Sequence, residues 1–231
     1  MHHGDRYDNA FLDGERMVFG GGDGNGEISR RFTASLSVIG HELAHGVTHY
    51  TAGLVYRDQV GACNESIPTS SARSSTVFKG KLRDRRHLAH RRRHLHRGRR
   101  GLALRSLRST GTAYDDDLFG EDPQPAHFDD DIQTDEDDGG VHLNSGIPTR
   151  AFYFVAESLG GNTWERDGQS WYDTVNGPVL TARTDFAQFS AATVAAARER
   201  YGAQSAEMTA VTDGWASGEI PARPPRFAGS A

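Results

Sequence analysis

The chain has a single cysteine, Cys63, which excludes an intramolecular disulfide. A lone cysteine of this kind is expected to be a small, inert core residue. No run approaches the ~18 consecutive apolar residues of a membrane-crossing helix, so no membrane partner is expected. The opening residues Met-His-His-Gly-Asp lack the apolar core of a signal peptide. The chain therefore reads either as cytosolic as written or as a fragment without its leader. Hydrophobic residues make up only 36% of the 231 positions, enough for one large domain or two small lobes.

Charge is unevenly spread. Residues 79–100 hold eleven of the 26 Lys and Arg and one acid, Asp84. Residues 115–138 hold twelve Asp and Glu and neither Lys nor Arg. Setting the basic block aside leaves 15 basic against 30 acidic residues, so the body of the protein is acidic. Eleven positive charges can bind phosphate. The block lacks interleaved aromatics, however, and the remainder repels nucleic acid, so no nucleic-acid partner is expected.

Along the chain, residues 1–32 are Gly-rich, with short strands such as Arg16-Met17-Val18-Phe19 meeting at turns. From Thr33 to Tyr50, Leu36, Ile39, Leu43, Val47 and Tyr50 recur at three- and four-residue steps, the mark of an amphipathic helix. A second helix is expected to begin near Cys63 and to be interrupted by Pro68. Four further helices are expected: about Ile147 to Leu159, one holding Trp164, Trp171 and Tyr172, Thr184 to Tyr201 with Thr184 or Asp185 as cap, and Ser205 to Trp215. The tail 218–231 is expected to be disordered. The fold class that follows is α+β: a mainly helical lobe over 33–217, interrupted by an anomalous basic segment at 68–100, after a short N-terminal β remnant over 1–32.

One motif carries chemistry. In His41-Glu42-Leu43-Ala44-His45 the two histidines stand at i and i+4 on one helix face. Both imidazoles can reach one zinc ion, and the glutamate between them can act as general base. Glu65, twenty positions after His45, supplies a plausible third ligand. Two His, one carboxylate and an open position make a hydrolytic zinc site. Tyr56 by itself reads as a core or loop aromatic, Arg105 as a solvated charge. His142, in a Gly-rich turn, draws more notice.

The ordered blocks around this motif resemble the thermolysin-like neutral zinc metallopeptidases. They are Tyr7-Asp8-Asn9-Ala10-Phe11, Val38 to Thr48, Tyr50 to Tyr56, Gly61 to Ile67, Leu104-Arg105-Ser106, Asp122-Pro123-Gln124-Pro125-Ala126-His127 and Gly139 to Ile147. The resemblance implies His41, His45 and Glu65 as zinc ligands and Glu42 as general base. His142 and Tyr56 would be oxyanion donors, and Asp137 the carboxylate that orients His142. Asn9, the Ala10 carbonyl and Arg105 would hold substrate backbone. It further implies a secreted, monomeric endopeptidase acting on proteins or peptides, with preference for a bulky apolar residue after the cleaved bond. Calcium is a weaker expectation, because Ser37 stands where the family uses an acidic ligand.

The chain departs from that pattern after Ile67. The family continues Ser-Asp-Val-Phe-Gly; here Pro68-Thr69-Ser70-Ser71-Ala72 follow. One choice of codons that would encode these five residues, CCG ACG TCT TCG GCT, gives Asp-Val-Phe-Gly when read out of phase. The basic block allows a similar out-of-phase reading, so residues 68–100 are read as a frameshifted stretch. DNA sequencing of this stretch tests it: no alternative frame encoding Ser-Asp-Val-Phe-Gly would sink it. Thr69 then occupies the place of an Asp that hydrogen-bonds a zinc-binding His, and Pro68 is expected to shorten the helix that carries Glu65. The alternative to an enzyme is therefore a catalytically impaired zinc-binding relic.

Overall fold

A computed structural model describes residues 7, 9–21, 33, 35–78, 89–90, 105–117 and 120–220, without the side chains of 72–78, 89–90 and 116. Of the expected disordered tail 218–231, residues 218–220 are ordered against the core, with Ile220 buried in it, while the tail from 221 onward, and the basic block apart from Ala89 and His90, lie outside the described residues.

The N-terminal piece is an antiparallel hairpin of β1 (Ala10–Leu12) and β2 (Met17–Phe19), with Ala10 opposite Phe19. Asp13 closes its turn by accepting from the backbone N–H of Glu15 and Arg16 at 2.9 and 2.7 Å, as Asp does in tight turns. Ala10 and Phe19 pack on Val38, which attaches the hairpin to the first helix.

That helix, α1 (Leu36–Tyr50), starts at Ser35, whose hydroxyl accepts from Val38 N–H. Its buried face carries Val38, His41, Glu42, Ala44 and Thr48. Of the expected apolar stripe, Leu43 and Val47 are about half exposed and Tyr50 more so. The periodicity locates the helix but does not mark its innermost face, which the polar site residues take. Leu43 and Val47 instead line an apolar trough of about 430 Å³ with Ile67, Phe152, Trp164 and Tyr172.

Helix α2 (Asp58–Phe78) corrects two expectations. It begins five residues before Cys63, and it runs through Pro68 unbroken. Every residue from Gly61 to Ser70 is buried; tertiary packing holds a helix that local propensity would stop. The missing N–H of Pro68 remains a cost. Pro68→Ala is accordingly expected to stabilise the fold by about 1–3 kcal/mol, read as a higher thermal midpoint; a lower midpoint would contradict it. Cys63 is fully buried on α2, and burial pushes its thiol well above the ordinary value, as expected for an inert core cysteine.

Short strands β3 (Ala89–His90) with β4 (Arg105–Ser106), and β5 (Asp115–Asp116) with β6 (Gly120–Glu121), form two more antiparallel pairs. Five helices follow: α3 (Asp137–Asn144), α4 (Gly146–Leu159), α5 (Asp167–Asn176), α6 (Phe186–Tyr201) and α7 (Ala206–Ala216). Helix α3 was not expected. Trp164 lies before α5 rather than on it. Asp185 and Gln188 form a capping box for α6, and Gly202 ends it. The core joins Ile147, Phe152 and Val155 of α4 to Trp171, Phe186, Phe189 and Trp215. Trp171 and Trp215 stack at 6.0 Å, and the Trp215 indole donates to Thr193 Oγ1 at 2.6 Å. No described helix is long and apolar enough to cross a membrane.

Candidate active site

Helices α1 and α2 lie side by side, and their facing polar residues converge. Nε2 of His41 and Nε2 of His45 are 3.1 Å apart. Glu65 reaches them from α2, with Oε2 at 3.3 Å from His41 and Oε1 at 3.2 Å from His45. The ligand-capable atoms of the three residues all lie within 4.8 Å of one another, and no other such group is found among the described residues. Ligands about 2.0–2.1 Å from one zinc, at tetrahedral angles, sit about 3.3 Å apart. The separations of 3.1 to 3.3 Å are those of such a set, so the residues present fit the ion.

Glu42, buried on α1, lines the same cleft. Burial would push the Glu65 carboxyl up, but hydrogen bonds and charge from His41 and His45 hold it well below the ordinary value. Burial likewise opposes a charged His45, yet Glu65, Glu42 and Asn64 together raise its pKa. Glu65 is thus a carboxylate that draws cations to this point.

The opposite lip is built by an unusual turn. Asp137, Asp138, Gly139 and Gly140 all have φ between 52° and 84°, a left-handed run that only glycine adopts without strain. Close packing also calls for glycine at one of these positions: a Cβ on Gly139 would lie 2.0 Å from Asp58 Oδ1. The turn bends Asp137 back over His142. One carboxylate oxygen accepts the His142 backbone N–H at 2.8 Å, and the other pairs with Nδ1 at 2.5 Å. Nε2 of His142 therefore faces the cleft, 3.2 Å from the Tyr56 hydroxyl. Tyr56 donates to Glu65 Oε1 at 2.5 Å. Burial, then the charge of Glu65, push the Tyr56 phenol upward, so it keeps its proton and remains a donor.

The cleft between hairpin and helices is about 660 Å³. Its walls include Asn9, Ala10, His41, Glu42, His45, Tyr56, Glu65 and His142. Asp137 stands behind His142. Arg105 does not line this cleft; it is on β4, where its charge acts on Tyr114.

Two family models match this chain. The thermolysin metallopeptidase catalytic domain covers residues 1–49, and the thermolysin metallopeptidase alpha-helical domain covers residues 52–220. The chain belongs to the thermolysin family. Among its relatives in this family, an extracellular metalloprotease of Pectobacterium carotovorum is 46% identical over 210 residues, covering 87% of this chain and 58% of that protein. A thermolysin of Alicyclobacillus acidocaldarius is 35% identical over 222 residues, 91% of this chain and 37% of the other. The precursor of protealysin, a metalloproteinase from Serratia proteamaculans, superposes with a TM-score of 0.88 at 46% identity. That match covers 94% of this chain and 67% of that one. The chain thus spans a little over half the length of the first two curated relatives it matches (58% and 54%).

Sequence reasoning passed over one member of the thermolysin-type site. Asn64 Oδ1 lies 3.2 Å from Nδ1 of His45, and the same oxygen accepts from Thr48 Oγ1. Its amide nitrogen donates to the Leu54 carbonyl. Asn64 thereby fixes which nitrogen of His45 points at Glu65. Its position beside Glu65 was the available signal, but adjacent helix residues diverge by about 100°, so adjacency alone gave no role. Thr69, one turn beyond Glu65 on α2, is buried.

Proposed function

We propose that this chain is a zinc-dependent endopeptidase that hydrolyses peptide bonds with an activated water. The observation that carries the proposal is the His41–His45–Glu65 triad at tetrahedral separations, beside Glu42 and the Tyr56–His142 pair. Zinc bound there supplies acidification of water and polarisation of a peptide carbonyl. Glu42 accepts the proton of the attacking water and passes it to the leaving amine. Tyr56 and His142 donate to the oxyanion that develops on the carbonyl. Nδ1–H of His142 donates to the Asp137 carboxylate, so Nε2 donates as well when the ring carries both protons. Strand β1 borders the cleft, so Asn9 and the Ala10 carbonyl can bind substrate backbone in the manner of an added strand. The resemblance supports a bulky apolar residue after the cleaved bond.

The test pairs elemental mass spectrometry of the purified chain with hydrolysis of a fluorogenic peptide carrying Leu after the labile bond. About one zinc per chain and cleavage abolished by chelation support the proposal. Zinc without turnover indicates the impaired relic, and neither zinc nor turnover overturns the reading. Within that system, Asn64→Ala is expected to weaken zinc affinity about 10–100-fold by freeing the His45 ring; competition against a chromogenic chelator measures it.

A further inference from the structure

His142 is anchored on its N-terminal side by Asp137. Its C-terminal side meets a break in the helices. Helix α3 ends at Asn144 and α4 begins at Gly146. The last carbonyls of a helix have no intrahelical donor. For His142 the donors are side chains: Gln124 Nε2 at 2.7 Å and Ser145 Oγ at 3.0 Å. The Gln124 amide also lies 3.2 Å from Ser145 Oγ.

Gln124 is built into place. It is 6% exposed and directly precedes Pro125, which biases its backbone towards extended conformations. Its N–H donates to Asp122 Oδ1 at 3.2 Å, and Asp122 Oδ2 accepts from Ala113 N–H at 3.0 Å. Glycines make room around it. A Cβ on Gly111 would lie 2.8 Å from the Gln124 carbonyl oxygen, and one on Gly146 would lie 3.1 Å from Gln124 Cβ.

We infer that Gln124 is a positioning residue for the oxyanion donor: its amide grips the peptide carbonyl of His142 and keeps the imidazole Nε2 opposite Tyr56. The inference rests on the peptidase reading for its kinetic consequence, not for its geometry. His142 is about half exposed at an open cleft, so packing alone does not fix the ring. Beyond the Asp137 bond to Nδ1, its placement depends on the backbone N–H and C=O of His142. Asp137 holds the first and Gln124 the second.

The experiment uses the full zinc-loaded chain with Gln124→Met, which keeps the length of the side chain and removes the donor. Gln124→Asn, which withdraws the amide by one methylene, guards against a Met variant that does not fold. The expected result is a fall in kcat of tenfold or more, since small misplacements of a reacting group are costly, with KM within about twofold and zinc content unchanged. The nitrogen-15 resonances of the His142 ring are expected to shift or broaden in both variants. A role limited to stability would lower the thermal midpoint and leave kcat and those resonances as in the parent; that result overturns the inference. If the parent chain has no turnover, the peptidase reading fails by itself, and the His142 resonances still decide the role of Gln124.

Discussion

Glu42→Gln is expected to lower kcat by about 10²–10⁴-fold, the range of a positioned general base, while zinc content stays that of the parent chain. The two effects separate because Glu42, although beside His41 on α1, is not one of the three residues whose atoms form the cation site. Nε2 of His41, Nε2 of His45 and the Glu65 oxygens make the cation site among themselves. Glu42 lines the cleft beside them, and its charge reaches His45 without being part of the triad. Glutamine keeps the shape and removes the basic oxygen, so KM is expected to stay within a few-fold. A second outcome discriminates. If Glu42→Gln lost zinc together with activity, Glu42 would be holding the ligand cluster rather than serving as base. If activity were untouched, water activation would have to come from elsewhere in the cleft.

The site was largely legible from the chain, and the reason is local geometry. An i, i+4 histidine pair is a statement about one helix, and α1 forms where the periodicity puts it. Convergence with Glu65 depends on α2 lying alongside, which spacing alone does not show; the order of the motif blocks supplied it. What stayed hidden was tertiary. The stripe of Leu43 and Val47 predicts an inward face, yet the inward face carries His41 and Glu42, because these must meet α2. Pro68 predicts a break, yet a run of ten buried residues that includes it holds the helix. The helix α3 was invisible because its first four residues are left-handed, and a helical pattern cannot be counted through them. Asn64 and Gln124 act through partners 19 and 18 positions away, beyond any local rule.

Asp167→Asn is expected to stabilise the fold, and increasingly so as pH rises. Asp167 is 1% exposed at the start of α5, and among the described residues no side chain donates to its carboxylate, which meets only the backbone N–H groups of Asp167 and Gly168. Burial pushes its pKa up to about 7, against the opposing pull of nearby backbone N–H groups and Arg166. Arg166 is itself engaged, with its guanidinium 2.7–2.8 Å from Glu207. In the unfolded chain the carboxyl returns to its ordinary value of 3.8. Below that value both states are protonated and ionisation adds no cost. Between 3.8 and about 7 the unfolded chain ionises while the folded one does not, so stability falls steadily as pH rises. Above about 7 both are ionised and the full penalty remains. A shift of some three units corresponds to about 4 kcal/mol at most. The isosteric amide removes the charge, so the variant should gain about 1–2 kcal/mol near pH 5 and up to about 4 kcal/mol at pH 8, by the same linkage. Urea unfolding of both proteins at the two pH values measures the difference. A gain that is equal at both would show that Asp167 does not titrate between the two pH values, and a loss at pH 8 would show that it is ionised and satisfied in the folded state. The position would then be a source of stability rather than a cost that α5 carries within the core.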